Sequence, residues 1–317
     1  MTGEKAAYQP LFDPDAAEQP FDESRAGRTG DRVDESDFPE IPYVYDDRIV
    51  LAVNVALAAG RPLLVRGRPG TGKSSLAHSV ARKLGWSLHA ITVSSRITAR
   101  DLLWSFDSVR RLAEAQALTR QGKLPERRTY VTPGVLWKAF DPASAQPLLP
   151  EGERAKKLTK RSVVLIDEID KADPDFPNDL LVPLGSYRFR GDDGGQVVAG
   201  HPPLIIITTN EERDLPRAFL RRCVILQLEE PRQQRLREIA RAHFADLSAA
   251  QLESVLTHYL QVRERRLKAK EQAPSIAEFL DALAALRGLG MTTQHPRWKE
   301  LEALLLDKAT TPSVEQV

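Results

Sequence analysis

Gly67-Arg68-Pro69-Gly70-Thr71-Gly72-Lys73-Ser74 is the stretch from which the rest of this chain can be read. It matches G-x-x-x-x-G-K-[ST] without a gap, and each part has a physical reason. Glycines let the backbone turn tightly, so that successive N–H groups point inward at phosphate oxygens. A helix starting near Gly72 adds its N-terminal partial positive charge. Lys73 reaches the β- and γ-phosphates, and the Ser74 hydroxyl ligates Mg²⁺. The flanks fit. Before the stretch lies Pro62-Leu63-Leu64-Val65, a short apolar run of buried-strand type. After it, Leu76, Val80, Ala81 and Leu84 recur at helical spacing. Gly67, Pro69, Gly70, Thr71, Gly72, Lys73, Ser74 and Ser75 are therefore expected to cradle a nucleotide's phosphates.

Four further apolar runs have strand character: Leu88–Val93, Val163–Ile166, Leu204–Thr208 and Val224–Leu228. Helix-compatible stretches separate them, which implies a parallel sheet with crossover helices. Another helix-like run, Ile49 to Ala56, precedes the first strand and is closed by Gly60. In an open parallel sheet the residues just past the strands' C-terminal ends face the ligand crevice. Val163-Val164-Leu165-Ile166-Asp167-Glu168 delivers two carboxylates there. Asp167 is expected in the Mg²⁺ shell and Glu168 as the general base for the attacking water. Asp170 and Lys171 read as solvated loop charges. Leu204-Ile205-Ile206-Ile207-Thr208-Thr209-Asn210 is a second strand with a polar tip, where the Asn210 amide can orient that water. Arg221 and Arg222 stand together just before the last strand, a place where surface charge alone is odd.

Composition narrows the class. The 317 residues are 42% apolar and 28% charged, ordinary values for a globular protein. Lys+Arg is 45 against Asp+Glu 44, so no global charge argues for nucleic acid or membrane. A single cysteine, Cys223, excludes an internal disulfide and a cysteine-ligated zinc site. The histidines, His78, His89, His201, His243, His258 and His295, show no metal-ligand spacing. No apolar run approaches the ~20 residues of a membrane span, and no secretory leader is visible, so a cytoplasmic location is expected. Residues 1–40 carry 11 acids and 4 bases without apolar periodicity and read as an acidic, unstructured arm. The basic run Arg154, Lys156, Lys157, Lys160 and Arg161 lacks the interleaved aromatics of a nucleic-acid site. Beyond Pro231 the chain turns helical. Leu252, Val255, Leu256, Tyr259 and Leu260 form one amphipathic face, and Ile276, Phe279, Leu280, Leu283 and Leu286 another. The expected domains are the arm at 1–40, an α/β domain at 41–230, a small helical domain at 231–309 and a tail at 310–317.

In their order the motifs GRPGTGKSS, VVLIDEID, IIITTN and LPRAFLRRC, followed by a helical lid, resemble an AAA+ ATPase over roughly residues 41–309. More narrowly the chain is similar to the MoxR branch of the helix-2-insert clade. That likeness rests on Ile97–Trp104 and Tyr130–Trp137, which look like the family's insert and its flank. It rests also on Asp179-Leu180-Leu181 before Tyr187-Arg188-Phe189, and on Leu215–Arg222. The resemblance implies a P-loop NTPase fold, a five-stranded parallel sheet of order 5-1-4-3-2 with a C-terminal all-α lid. It implies Lys73 and Ser74 as the Walker A pair, Asp167 and Glu168 as the Walker B pair, and Asn210 as sensor 1. Arg222, with Arg221 as the alternative, becomes a finger acting on a neighbouring subunit's ATP, hence a homo-oligomeric ring, usually a hexamer. A sensor 2 arginine, frequent in the family, has no counterpart in Pro274–Leu280, and Lys270 and Arg287 are the available replacements. Tyr43-Val44-Tyr45 is where the adenine is expected.

The implied function is ATP- and Mg²⁺-dependent remodelling of a protein partner, a chaperone-like role often tied to a separate von Willebrand factor type A protein. Two other readings are a nucleotide-gated switch or scaffold with slow hydrolysis, and a DNA-directed motor or loader. The near-neutral charge and the lack of an added DNA-binding domain speak against the last.

Overall fold

A computed structural model of the protein describes residues 10–15, 42–117, 124–154 and 157–308. Most of the acidic arm, the tail at 310–317 and Lys156 of the basic run lie outside the described residues. Two compact units separate. The first comprises Tyr45–Arg66 and Ser74–Gln227 with residues 10–15, and the second Gly67–Lys73 and Leu228 onward with residues 42–44.

In the first unit the strands are β1 (Leu63–Arg66), β2 (Ser87–Thr92), β3 (Trp104–Phe106), β4 (Val131–Pro133), β5 (Ser162–Asp167), β6 (Arg188–Arg190), β7 (Gln196–Val198), β8 (Leu204–Thr209) and β9 (Val224–Gln227). Five of them form one parallel sheet in the order β2-β5-β8-β1-β9. Counting sheet strands alone along the chain, that is 2-3-4-1-5, the expected order 5-1-4-3-2 read from the other edge. Central strands of such a sheet are covered on both faces, which is why they read as unbroken apolar runs instead of alternating ones. Leu63, Leu64 and Val65 are fully buried, as are Val163, Val164 and Ile166. Each such side chain contributes about 1.5–3 kcal/mol on leaving water.

The helices of this unit are α1 (Asp47–Ala59), α2 (Lys73–Leu84, whose first residue belongs to the second unit), α3 (Ala99–Leu103), α4 (Ser108–Ala117), α5 (Val135–Phe140), α6 (Pro142–Ala145), α7 (Phe176–Asp179), α8 (Leu181–Ser186) and α9 (Arg217–Leu220). Asp46 caps α1 by accepting from Ile49 N–H at 2.9 Å, and Gly60 ends it at φ 58 in the left-handed region. The segments singled out as an insert become a small antiparallel hairpin, β3 against β4, flanked by α3 and α5. A second hairpin, β6 against β7, follows α8. Trp137 packs edge-on against Phe189 at 5.9 Å, tying α5 to that hairpin.

One short piece of the arm is seated. Asn54 on α1 accepts from Leu11 N–H at 2.6 Å and Phe12 N–H at 2.8 Å, and donates to Phe12 O at 2.8 Å. Phe12 is 1% exposed, its ring 5.5 Å from that of Tyr45. Sequence patterning misses this because a single anchoring aromatic has no periodicity.

The second unit holds the helices α10 (Gln233–His243), α11 (Ala249–Lys268), α12 (Ile276–Gly288) and α13 (Trp298–Leu305). Their core is the two faces legible in the sequence: Leu252, Val255, Leu256 and Tyr259 of α11 against Phe279, Leu283 and Leu286 of α12. Ser248 and Ser275 start α11 and α12 with capping boxes closed by Gln251 and Glu278. Arg266 of α11 is 7% exposed and paired with Asp307 and Glu271. No described helix is long and apolar enough to cross a membrane.

Candidate functional site

The Gly-rich stretch forms the connection between β1 and α2. Gly70 and Gly72 have φ of 76° and 86°, a left-handed conformation that side chains resist. A Cβ on Gly70 would also lie 2.6 Å from Ser275 Cβ, the capping residue of α12. The backbone thus turns so that consecutive amides face one concavity, the arrangement that holds anions. Lys73 is buried, and its Nζ donates to Gly67 O at 2.8 Å and Arg68 O at 2.9 Å. Thr71 Oγ1 donates to Arg68 O at 2.9 Å, bracing the same turn. Pro69 and Gly70 are exposed, while Ser74 and Ser75 are half-buried in the first turn of α2.

At the C-terminal ends of β5 and β8, polar groups converge on Asp167. Its Oδ1 accepts from Ser74 Oγ at 2.7 Å and from Thr208 Oγ1 at 2.5 Å. Thr208 Oγ1 also accepts from Glu168 N–H at 2.9 Å. Ser74 and Asp167, read as the metal pair, are therefore in contact although 93 positions apart. A hydroxyl and a carboxylate at this spacing are oxygen donors of the kind a hard divalent cation takes.

Glu168 and Asn210 also meet. Asn210 Nδ2 donates to Glu168 Oε1 at 3.2 Å. Glu168 has φ 59°, so the chain leaves β5 through a left-handed residue. Asp170 does not fit its reading as a solvated charge, whereas Lys171 is exposed as read. Asp170 is 3% exposed, and its Oδ2 accepts the Asn210 N–H at 3.1 Å and the Glu212 N–H at 3.0 Å. A carboxylate is buried there because two backbone donors of the loop after β8 compensate it. Lys171 pairs with Glu168 Oε2 at 2.9 Å, and that hydrogen bond and charge raise its pKa.

Arg221 and Arg222 are not part of this cluster among the described contacts. They follow α9, where Arg222 Nη1 donates to Leu181 O at 3.0 Å and Arg221 O accepts from Arg61 Nη1 at 3.4 Å. Arg222 lines a groove of ≈540 Å³ whose walls include Arg61, Leu181, Val182 and Phe219. Cys223 lies beside it, and burial pushes its thiol up to about 12.

In the second unit Tyr43 lies against the loop, its Cε2 3.4 Å from where a Gly72 Cβ would be. Tyr45 serves packing instead: its hydroxyl donates to Ser79 on α2 at 2.7 Å, and burial raises it to about 12. Of the two sensor 2 replacements, Arg287 pairs with Asp246 at 2.7 Å. Lys270 ends α11 in a left-handed turn at φ 59°. The arginine that does connect to the phosphate loop is Arg263 of α11, through Glu230, which also pairs with Arg68 at 2.8 Å.

Sequence reasoning missed Thr208, Asp170, Lys171 and Arg263. For Thr208 a signal existed, a hydroxyl one position short of the polar strand tip. The other three depend on partners distant in sequence or on turn geometry.

The chain is similar to solved structures of the RuvB Holliday junction branch migration motor from Thermotoga maritima, at 15% identity and a TM-score of 0.44, over 81% of this chain and 67% of that one. A point variant of that protein gives 16% identity and a TM-score of 0.46, over 83% and 70%. Residues 62–223, just over half of the chain, match the family described as the AAA domain (dynein-related subfamily), from the first sheet strand to the arginines after α9, and the chain belongs to that family.

Proposed function

We propose that this protein binds Mg²⁺–ATP through Gly67–Ser75 and hydrolyses it, working as a homo-oligomeric ring that remodels or activates a protein partner. The observation that carries the reading is the convergence of Ser74, Thr208, Glu168 and Asn210 around Asp167 at the strand ends. In it each group has a task. The loop amides and Lys73 take the phosphate charge. Ser74 and Asp167 would hold Mg²⁺, which would supply positive charge against the phosphates. Glu168 accepts the proton of the attacking water, and Asn210 fixes where that water and the Glu168 carboxylate stand. Arg222, or Arg221 beside it, supplies positive charge to a neighbouring subunit's nucleotide.

Ring assembly, six subunits by family likeness, follows from that trans role. The MoxR-like features of the insert and hairpin support a chaperone-like task in the cytoplasm, with a von Willebrand factor type A protein as the partner class to test. The domain limits proposed for this reading are 41–230 for the ATPase domain and 231–309 for the lid.

Calorimetric titration with a slowly hydrolysed ATP analogue and Mg²⁺ tests the binding half. Wild type binds, Lys73→Ala loses at least about tenfold in affinity, and Glu168→Gln binds like wild type. Equal affinity in Lys73→Ala and wild type would contradict the assignment of the loop.

A further inference from the structure

We infer that the groove beside Arg222 is the seat of a second copy of this chain, and that Arg61 and Arg188 pair there with Glu212 and Asp214 of that copy. This rests on the ring reading proposed above, in which Arg222 serves a neighbouring subunit. The groove, ≈540 Å³ in volume, is lined by three guanidiniums, those of Arg61, Arg188 and Arg222, and by no carboxylate. All three residues are exposed. Arg222 donates to Leu181 O at 3.0 Å and Arg61 to Arg221 O at 3.4 Å, but none of the three has a carboxylate partner among the described residues. Like charges gathered around one concavity repel one another unless an anionic surface covers them. The rest of the wall is largely apolar, with Val182 68% exposed and Phe219 buried beneath. An apolar wall with a charged rim is the make-up of a protein–protein contact.

The complementary surface is on the same chain. Pro62 and Cys223 of the groove stand just before β1 and β9, at the N-terminal edge of the parallel sheet. Glu211-Glu212-Arg213-Asp214 follows β8 at the opposite edge, beside the proposed nucleotide site, and all four residues are exposed. The one cation among them, Arg213, donates through Nη1 to Ala172 O at 3.3 Å, which sets the loop beside the exposed Asp173 and Asp175. Glu211 is committed, accepting from Gln227 Nε2 at 2.8 Å. The carboxylates of Glu212 and Asp214 have no hydrogen bond or ion pair among the described residues. The two edges are roughly 20 Å apart, the length of β8 at about 3.3 Å per residue. Groove and acidic loop therefore stand too far apart to pair within one molecule. They meet between copies joined head to tail, the contact that closes into a ring. The approach that carries Arg222 to a neighbour's nucleotide sets Arg61 and Arg188 against that neighbour's acidic loop.

The test is a charge exchange read by sedimentation velocity of full-length proteins with Mg²⁺ and a slowly hydrolysed ATP analogue, with thermal unfolding in parallel. One protein carries Arg61→Glu/Arg188→Glu, the other Glu212→Arg/Asp214→Arg, and both keep Arg222. Each variant alone sets like charges against each other at every junction and is expected to need at least about tenfold more protein than wild type for half-assembly. Mixed one to one, the two are expected to assemble near the wild-type concentration. Native mass spectrometry should then find equal numbers of each in a ring, because only unlike neighbours pair. A variant that assembles alone like wild type, a mixture that assembles no better than its components, or rings of random composition overturns the pairing. Where a reversed protein melts well below wild type, Arg61→Gln/Arg188→Gln decides: assembly about two- to tenfold weaker upholds the pairing, and unchanged assembly overturns it. Wild type that stays monomeric at every concentration with nucleotide removes the ring reading, and the pairing with it.

Discussion

Thr208 shows how much one hydroxyl can hold. It donates to Asp167 and accepts the N–H of Glu168, so it spaces the carboxylate proposed to hold Mg²⁺ from the proposed base. Thr208→Val keeps the shape and removes both bonds, leaving a half-buried N–H unsatisfied, at a cost of about 1–3 kcal/mol. We expect a lower melting temperature and at least about a tenfold loss in ATP turnover, measured on the same preparation. His89 makes a pH prediction. Burial, then the Lys138 charge, lowers it to about 4, and its Nε2 is buried without a hydrogen-bond partner. The unfolded chain binds this proton near pH 6.5 and the folded one only near 4, so between those values the unfolded state holds more protons. Stability from this group is complete above about pH 6.5 and declines as the pH falls toward 4, by about 1–3 kcal/mol in all. Urea unfolding at pH 7 and pH 4.5, on wild type and His89→Gln, checks it: the variant should lose less on acidification.

At the scale of elements, the seating of residues 10–15 on α1 is an addition to the α/β core that carries its own prediction. Phe12→Ala removes a fully buried ring that touches Tyr45, and should cost about 3–5 kcal/mol by urea unfolding. A loss under about 1 kcal/mol would mean that the segment does not hold in solution. The same scale explains what sequence reading achieved. The five sheet strands were legible because each is an apolar run bounded by turn residues, and the phosphate loop because its geometry is local to eight residues. The helices α11 and α12 were legible because their buried faces keep a 3.6 period. What escaped depends on pairings the chain makes far from home. Phe12 meets Asn54, 42 positions on, and Asp170 meets the loop after β8, 40 positions on. Arg266 is buried by Asp307, 41 positions on, and by Glu271. Lys171 was missed for the opposite reason: its partner is adjacent, but only the 3₁₀ turn decides that the two face each other.

For the molecule as a whole, the proposed roles fall to the carboxylates at the strand ends and to arginines that make no contact with them among the described residues. Asp167, Glu168 and Asn210 meet at the strand ends, whereas Arg222 is held by the carbonyl of Leu181 beside a groove rimmed by Arg61 and Val182. A residue proposed to act in catalysis but standing apart from its own chain's cluster fits the pattern of a contribution in trans. Mixing Arg222→Ala with Glu168→Gln subunits, each inactive alone, should then restore part of the ATP turnover, because some junctions regain both groups. No recovery at any mixing ratio would contradict Arg222 as the finger. The account's central claim, a hydrolytic site completed by neighbouring subunits, is tested most directly by ATP turnover per subunit against protein concentration, for wild type and Glu168→Gln. Turnover that rises steeply with concentration and vanishes in the variant is the predicted result. Turnover per subunit that is independent of concentration, or that survives in Glu168→Gln, would contradict it.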